Sequence, residues 1–127
     1  KESPWLLEVI AGMVDKENED LEDVAKREAF EEADLNINTL TPMLSYLSSP
    51  GGTSERLYLY MGIVDSNGVG GVHGLEDENE DIKVHVLDVD HAFELLDSGV
   101  IDNAATVISL QWLRLNKQKI DAEPAKY

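Results

Sequence analysis

The chain predicts a single α+β domain, on three observations. Apolar and polar residues alternate with a period of two in separate stretches, they recur with a helical period in three others, and 127 residues at 43% hydrophobic suit one core. Taken in order, residues 5–11 are a short, mostly apolar run stopped by Gly12, which predicts a buried strand. Residues 15–23 carry six acidic side chains in nine positions, and Asp20 there can cap a helix running to Ala33, because its carboxylate accepts a first-turn N–H at the positive end of the dipole. Residues 37–47 predict one or two strands, with Pro42 marking an edge or a bend. Ser48-Ser49-Pro50-Gly51-Gly52-Thr53 is loop by composition. Leu57, Leu59, Met61 and Ile63 alternate along one strand, and Ile82, Val84 and Val86 along another. Between them, residues 65–81 are rich in glycine and then acidic, a connection of a length that usually serves function. Two helices follow: residues 90–98, capped by Asp90 and ended at Gly99, then residues 102–117 with Val107, Ile108, Leu110, Trp112 and Leu115 on their apolar positions. The polar stretch 119–127 is expected to fray.

Charge and composition remove several classes of function. Aspartate and glutamate number 26 against 10 lysines and arginines, a net charge of −16, so the clustered cations that bind nucleic acid or an anionic membrane are missing. Cysteine is absent, which excludes a disulfide framework, a thiolate metal site and a thiol nucleophile. No run approaches the roughly 20 apolar residues that span a bilayer, and no secretory leader opens the chain, so a cytoplasmic protein is expected. The chain begins without methionine and enters an apolar run almost at once, as a fragment of a longer protein would. His73, His85 and His91 read as a loop, a strand-surface and a helix-start residue, and none is given a catalytic role.

The first helix carries the chemistry. At 100° per residue, Leu21, Val24 and Ala25 share one stripe, Glu28 and Glu32 continue it, and Glu31 flanks it. Like charges gathered at this spacing repel, and burying them adds a desolvation cost. A divalent cation reverses the sign of that cost, and Mg²⁺ takes oxygen ligands of this kind together with substrate phosphates. A solvated acidic face, with Lys26 and Arg27 in ordinary surface pairs, would account for the same charges.

The residue pattern favours the cation. Gly12, Glu19 and Arg27-Glu28-Ala29-Phe30-Glu31-Glu32-Ala33-Asp34-Leu35 resemble the Nudix box, G-x5-E-x7-R-E-U-x-E-E-x-G-U. Two departures stand out: the stretch from Gly12 to Glu19 is one residue longer than the pattern, and Asp34 replaces its glycine. The insertion falls in the loop before the helix, where an added residue costs little. The resemblance extends to Pro4-Trp5-Leu6-Leu7-Glu8, to Ser49-Pro50-Gly51-Gly52-Thr53-Ser54-Glu55-Arg56 and to the acidic run ending in Ile82, and Pro50 lies fifteen residues beyond Leu35. These features are similar to the bacterial ADP-ribose pyrophosphatase branch of the Nudix family.

The resemblance implies an α/β/α sandwich, a mixed sheet packed between helices with a loop-helix-loop catalytic motif. It implies hydrolysis of ADP-ribose to AMP and ribose 5-phosphate, with another nucleoside diphosphate sugar such as ADP-glucose, or a non-catalytic ADP-ribose sensor, as alternatives. Mg²⁺, or Mn²⁺ in its place, is the implied cofactor, held by the backbone carbonyl of Ala11, by Glu28 and Glu32, and with help from Glu31. Arg27 is the implied orienting partner of a neighbouring carboxylate. Glu78 is the implied general base with Glu80 in reserve, and Ser49, Glu55 and Met13 are the implied substrate contacts. Family members also carry an N-terminal segment that swaps across a homodimer and completes the adenine site; residues 1–127 are expected to be the catalytic domain without it. Trp5 and Trp112 are expected in core or dimer packing.

Overall fold

The structure, a computed structural model, describes residues 5–12, 19–65, 67, 71–73 and 82–127. These form helix α1 (Leu21–Ala33), strands β1 (Thr39–Leu47), β2 (Arg56–Ile63), β3 (Gly71–His73) and β4 (Ile82–Val84), helices α2 (Val89–Asp97) and α3 (Ala104–Ala122), and a 3-10 turn at Pro124–Lys126. The α+β class stands. Among the described residues the strands form two two-stranded sheets, β1 with β2 and β3 with β4, rather than the single mixed sheet expected. The chain divides into two compact units, one drawing on Pro42–Tyr60, Leu87–Tyr127 and residues 5–9, the other on the described residues of Ile10–Thr41 and Met61–Val86.

In the second unit, Asp20 takes extended backbone angles and its Oδ1 accepts the Glu22 N–H at 2.9 Å, so α1 starts where the capping argument puts it. The helix ends on Asp34, which adopts the left-handed conformation at φ 54° and ψ 39° while its N–H bonds the Phe30 carbonyl at 2.9 Å. Val24, Ala29 and Ala33 are its buried residues, Leu21, Ala25, Glu28 and Glu32 are half-buried, and Phe30 stands 55% exposed on the opposite side. The helix packs on β3 and β4, an antiparallel pair in which Val72 sits opposite Lys83. β3 lies inside the stretch expected to be loop: its residues, Gly71-Val72-His73, are too few and too glycine-rich to show an alternation, and the pairing with β4 defines them. His73 is accordingly a strand residue.

In the first unit, residues 5–9 form no strand, against expectation. The Val9 N–H donates to Thr106 Oγ1 at 3.1 Å and Asn103 Nδ2 donates to the Leu7 carbonyl at 2.8 Å, so side chains at the start of α3 take the polar groups a ladder would have used. Leu7 and Val9 are half-buried, whereas Trp5 is 71% exposed. Asn103 also caps α3, its side-chain oxygen accepting the Thr106 N–H at 3.2 Å, and Thr106 and Ile101 are buried. α2 starts one residue before Asp90 and ends in a reversal at Gly99, whose φ of 82° suits glycine. Arg114 joins α3 to α2: its guanidinium bonds both Asp97 carboxylate oxygens, at 2.9 and 3.1 Å, and lies 4.5 Å from the Phe93 ring centre. α3 continues past the expected end at Lys117 to Ala122, supported by the Lys117–Asp121 pair, so residues 119–122 are helical rather than frayed. Among the described residues no helix is long and apolar enough to cross a membrane.

Candidate functional site

The carboxylates of α1 gather beside residues 11 and 12. Glu28 and Glu32 lie one turn apart on the helix face that packs inward, and the Glu28 side chain is 13% exposed. The Ala11 N–H donates to Glu32 Oε2 at 3.2 Å. At Gly12 the space a β-carbon would occupy is filled by Cγ, Cδ and Oε1 of Glu28. Adjacent backbone residues therefore meet both glutamates.

Arg27 spans two of the acids. Its Nη1 donates to Glu19 Oε2 and its Nη2 to Glu28 Oε1 at 3.3 Å, a use of the planar fork that an ammonium could not copy. Hydrogen bonding to Glu19, and then to Glu28, raises the Arg27 pKa further above its ordinary value, so the guanidinium stays charged at any working pH. The second oxygen of Glu19, Oε1, is buried and has no hydrogen-bond partner among the described residues. Glu31, on the same helix, is half-buried. Met13, Glu78 and Glu80 lie outside the described residues.

This donor set suits a hard divalent cation in kind. Every candidate is an oxygen, two carboxylates are withdrawn from solvent on a packed face, and one buried carboxylate oxygen of Glu19 has no hydrogen-bond donor among the described residues. Among the described residues no three acidic or imidazole side chains converge as a metal cage would require. A strongly hydrated ion that keeps several waters and takes one or two protein carboxylates matches such a set; an ion needing a shell built wholly of side chains does not.

Ser49 and Glu55 belong to the other unit, on the turn between β1 and β2. The Ser49 carbonyl accepts from the N–H groups of Gly52 and Thr53 at 2.9 and 2.8 Å. Glu55 is held by Ser48, whose Oγ donates to Glu55 Oε1 at 2.8 Å, and its N–H donates to Thr53 Oγ1 at 2.9 Å. Burial, with a smaller contribution from the Glu55 charge, raises the Tyr46 pKa. Sequence reasoning did not single out Ser48, because two adjacent serines carry no local signal of which one faces the carboxylate. It also passed over Ala29 and Ala33, whose spacing of four on one helix face could have marked them as buried. A shallow cavity of about 240 Å³ bordered by Met43, Leu44, Tyr58 and Tyr60 offers no charged group to a phosphate.

Known proteins share this sequence closely. The chain is 54% identical over 122 residues to a protein of Escherichia coli (strain K12) named ADP-ribose pyrophosphatase, a match covering 96% of this chain and 58% of the relative. A Haemophilus influenzae protein of the same name is 55% identical over 114 residues, covering 90% and 52%. A Cronobacter sakazakii protein named GDP-mannose pyrophosphatase is 33% identical over 114 residues, covering 87% and 56%. The chain thus spans just over half the length of these relatives. Matched by the NUDIX domain across residues 1–116, and with the arginine and glutamates of its box brought together on α1, the chain belongs to the NUDIX family.

Proposed function

We propose that this chain is the catalytic part of a metal-dependent hydrolase that splits the pyrophosphate bond of ADP-ribose into AMP and ribose 5-phosphate. The observation that carries the reading is the pair Glu28 and Glu32, drawn onto the packed face of α1 beside residues 11 and 12, in a chain 54% identical to a relative named for that substrate. Glu28, Glu32 and the Ala11 carbonyl would hold Mg²⁺ or Mn²⁺, with Glu31 assisting. A cation held there supplies charge neutralisation and Lewis-acid polarisation of the phosphoryl oxygens, which a chain of net charge −16 could not otherwise approach. Arg27 keeps Glu28 oriented through its link to Glu19. Glu78 accepts the proton of the attacking water as its oxygen bonds to phosphorus and the bridging P–O bond breaks. Ser49, Glu55 and Met13 contact the sugar side of the substrate. The whole protein is a cytoplasmic homodimer in which an upstream segment completes the adenine site.

A second nucleoside diphosphate sugar is favoured by one observation, the relative named GDP-mannose pyrophosphatase at 33% identity. Comparing kcat/KM on ADP-ribose, ADP-glucose and GDP-mannose, with and without Mg²⁺, separates the readings. ADP-ribose is expected to lead, and hydrolysis is expected to stop without the cation. A lead for GDP-mannose, or turnover unaffected by chelation, overturns the assignment. Glu78→Gln is expected to cut kcat by roughly 10²–10⁴-fold with metal affinity retained, the usual worth of a general base.

A further inference from the structure

Glycine is required in a folded chain either because φ is positive or because something approaches too closely for a side chain. Gly99 is the glycine with positive φ among the described residues, so the first reason does not apply at Gly12. The second does: a β-carbon at position 12 would overlap Cγ, Cδ and Oε1 of Glu28. The overlapped atoms run from Cγ to the carboxylate of one side chain, so a β-carbon here displaces the Glu28 carboxylate. The preceding residue meets the other glutamate, the Ala11 N–H donating to Glu32 Oε2 at 3.2 Å.

From this geometry we propose that Gly12 is a positioning residue for the cation site: its missing side chain is the seat against which the Glu28 carboxylate is held, while the neighbouring Ala11 N–H sets Glu32. This rests on the reading of Glu28 as a metal ligand given above. A residue that orients a ligand without touching the ion typically changes affinity by about 10–100-fold when altered. Gly12→Ala is therefore expected to weaken Mn²⁺ binding by at least about tenfold while the metal-free melting temperature stays near that of the parent chain. A residue of purely structural importance would give the opposite pattern, a lowered melting temperature with affinity intact.

The experiment titrates the 127-residue chain with Mn²⁺ and follows free ion by electron paramagnetic resonance, alongside thermal melts without metal. Wild-type Mn²⁺ affinity in Gly12→Ala overturns the proposal. Should Gly12→Ala also melt early, the same change is made in a Glu28→Ala background. There the overlap is gone, so the melting difference vanishes if Glu28 is the group displaced, and a difference that persists overturns the proposal. Glu28→Gln is titrated in parallel to test the underlying reading. Unchanged affinity in Glu28→Gln removes Glu28 as a ligand and the proposal with it, whereas weakened binding there with normal binding in Gly12→Ala refutes only the role of Gly12.

Discussion

Asp34 occupies a position where its backbone and its charge both work against α1. At φ 54° and ψ 39° it pays the left-handed cost of about 1–2 kcal/mol for a residue with a β-carbon, reduced because aspartate visits this region more readily than most. Glycine removes that cost but raises unfolded-state entropy by about 0.5–1 kcal/mol, leaving a gain near 0.5 kcal/mol. The carboxylate also sits at the negative end of a helix with no basic residue in its last turn, which costs about 0.3–0.5 kcal/mol at an exposed site. Asp34→Gly should therefore stabilise the chain by about 1 kcal/mol, a rise in Tm of about 3–5 °C at this length. Asp34→Asn isolates the charge, since asparagine tolerates the same backbone, and should raise Tm by about 1–2 °C. Differential scanning calorimetry of both variants without divalent cation, with circular dichroism to show that the helix content is unchanged, measures the two contributions separately. An Asp34→Gly Tm at or below that of the parent chain would refute the reasoning, because it would mean the left-handed backbone carries no strain here. A gain equal in both variants would assign the whole effect to charge.

Three other outcomes follow from the same structure. Adding Mg²⁺ at about 100 times its Kd should stabilise the chain by about 2.7 kcal/mol, and Glu28→Gln or Glu32→Gln should each remove most of that rise in a thermal melt; an equal rise in all three proteins contradicts the site. Thr106→Val leaves the Val9 N–H without its acceptor inside a part-buried contact, so urea unfolding should show a loss of about 1–3 kcal/mol, largely spared in Thr106→Ser. Hydrogen bonding from Arg114 lowers the Asp97 pKa, so the native state binds this proton less readily than the unfolded chain. The pair then stabilises the fold above the ordinary carboxylate range and loses that contribution as pH falls through the lowered value. Wild type and Asp97→Asn should accordingly differ most near neutral pH and converge in acid, with the difference shrinking in high salt because both side chains are largely exposed.

Much of the candidate site was legible from residue order because it is built within one helix. Periodicity places Glu28 and Glu32 on one stripe, and Asp20 supplies a cap two residues from its bonding partner. These effects act over a turn or two, where spacing along the chain and distance in space nearly coincide. The apolar pattern of residues 5–11 did not decide its own conformation. Val9 is claimed by Thr106 from 97 positions away, and a hydroxyl at a helix start competes with a strand ladder in a way no local window displays. Strand β3 is defined by its partner, Ser48 is chosen over Ser49 by the turn, and the reason for glycine at position 12 exists only once α1 brings Glu28 against it. Sequence alone determined which residues could hold charge on one helical face. Tertiary structure decided which backbone would meet them, because close approach and the satisfaction of buried polar groups depend on where distant segments come to rest.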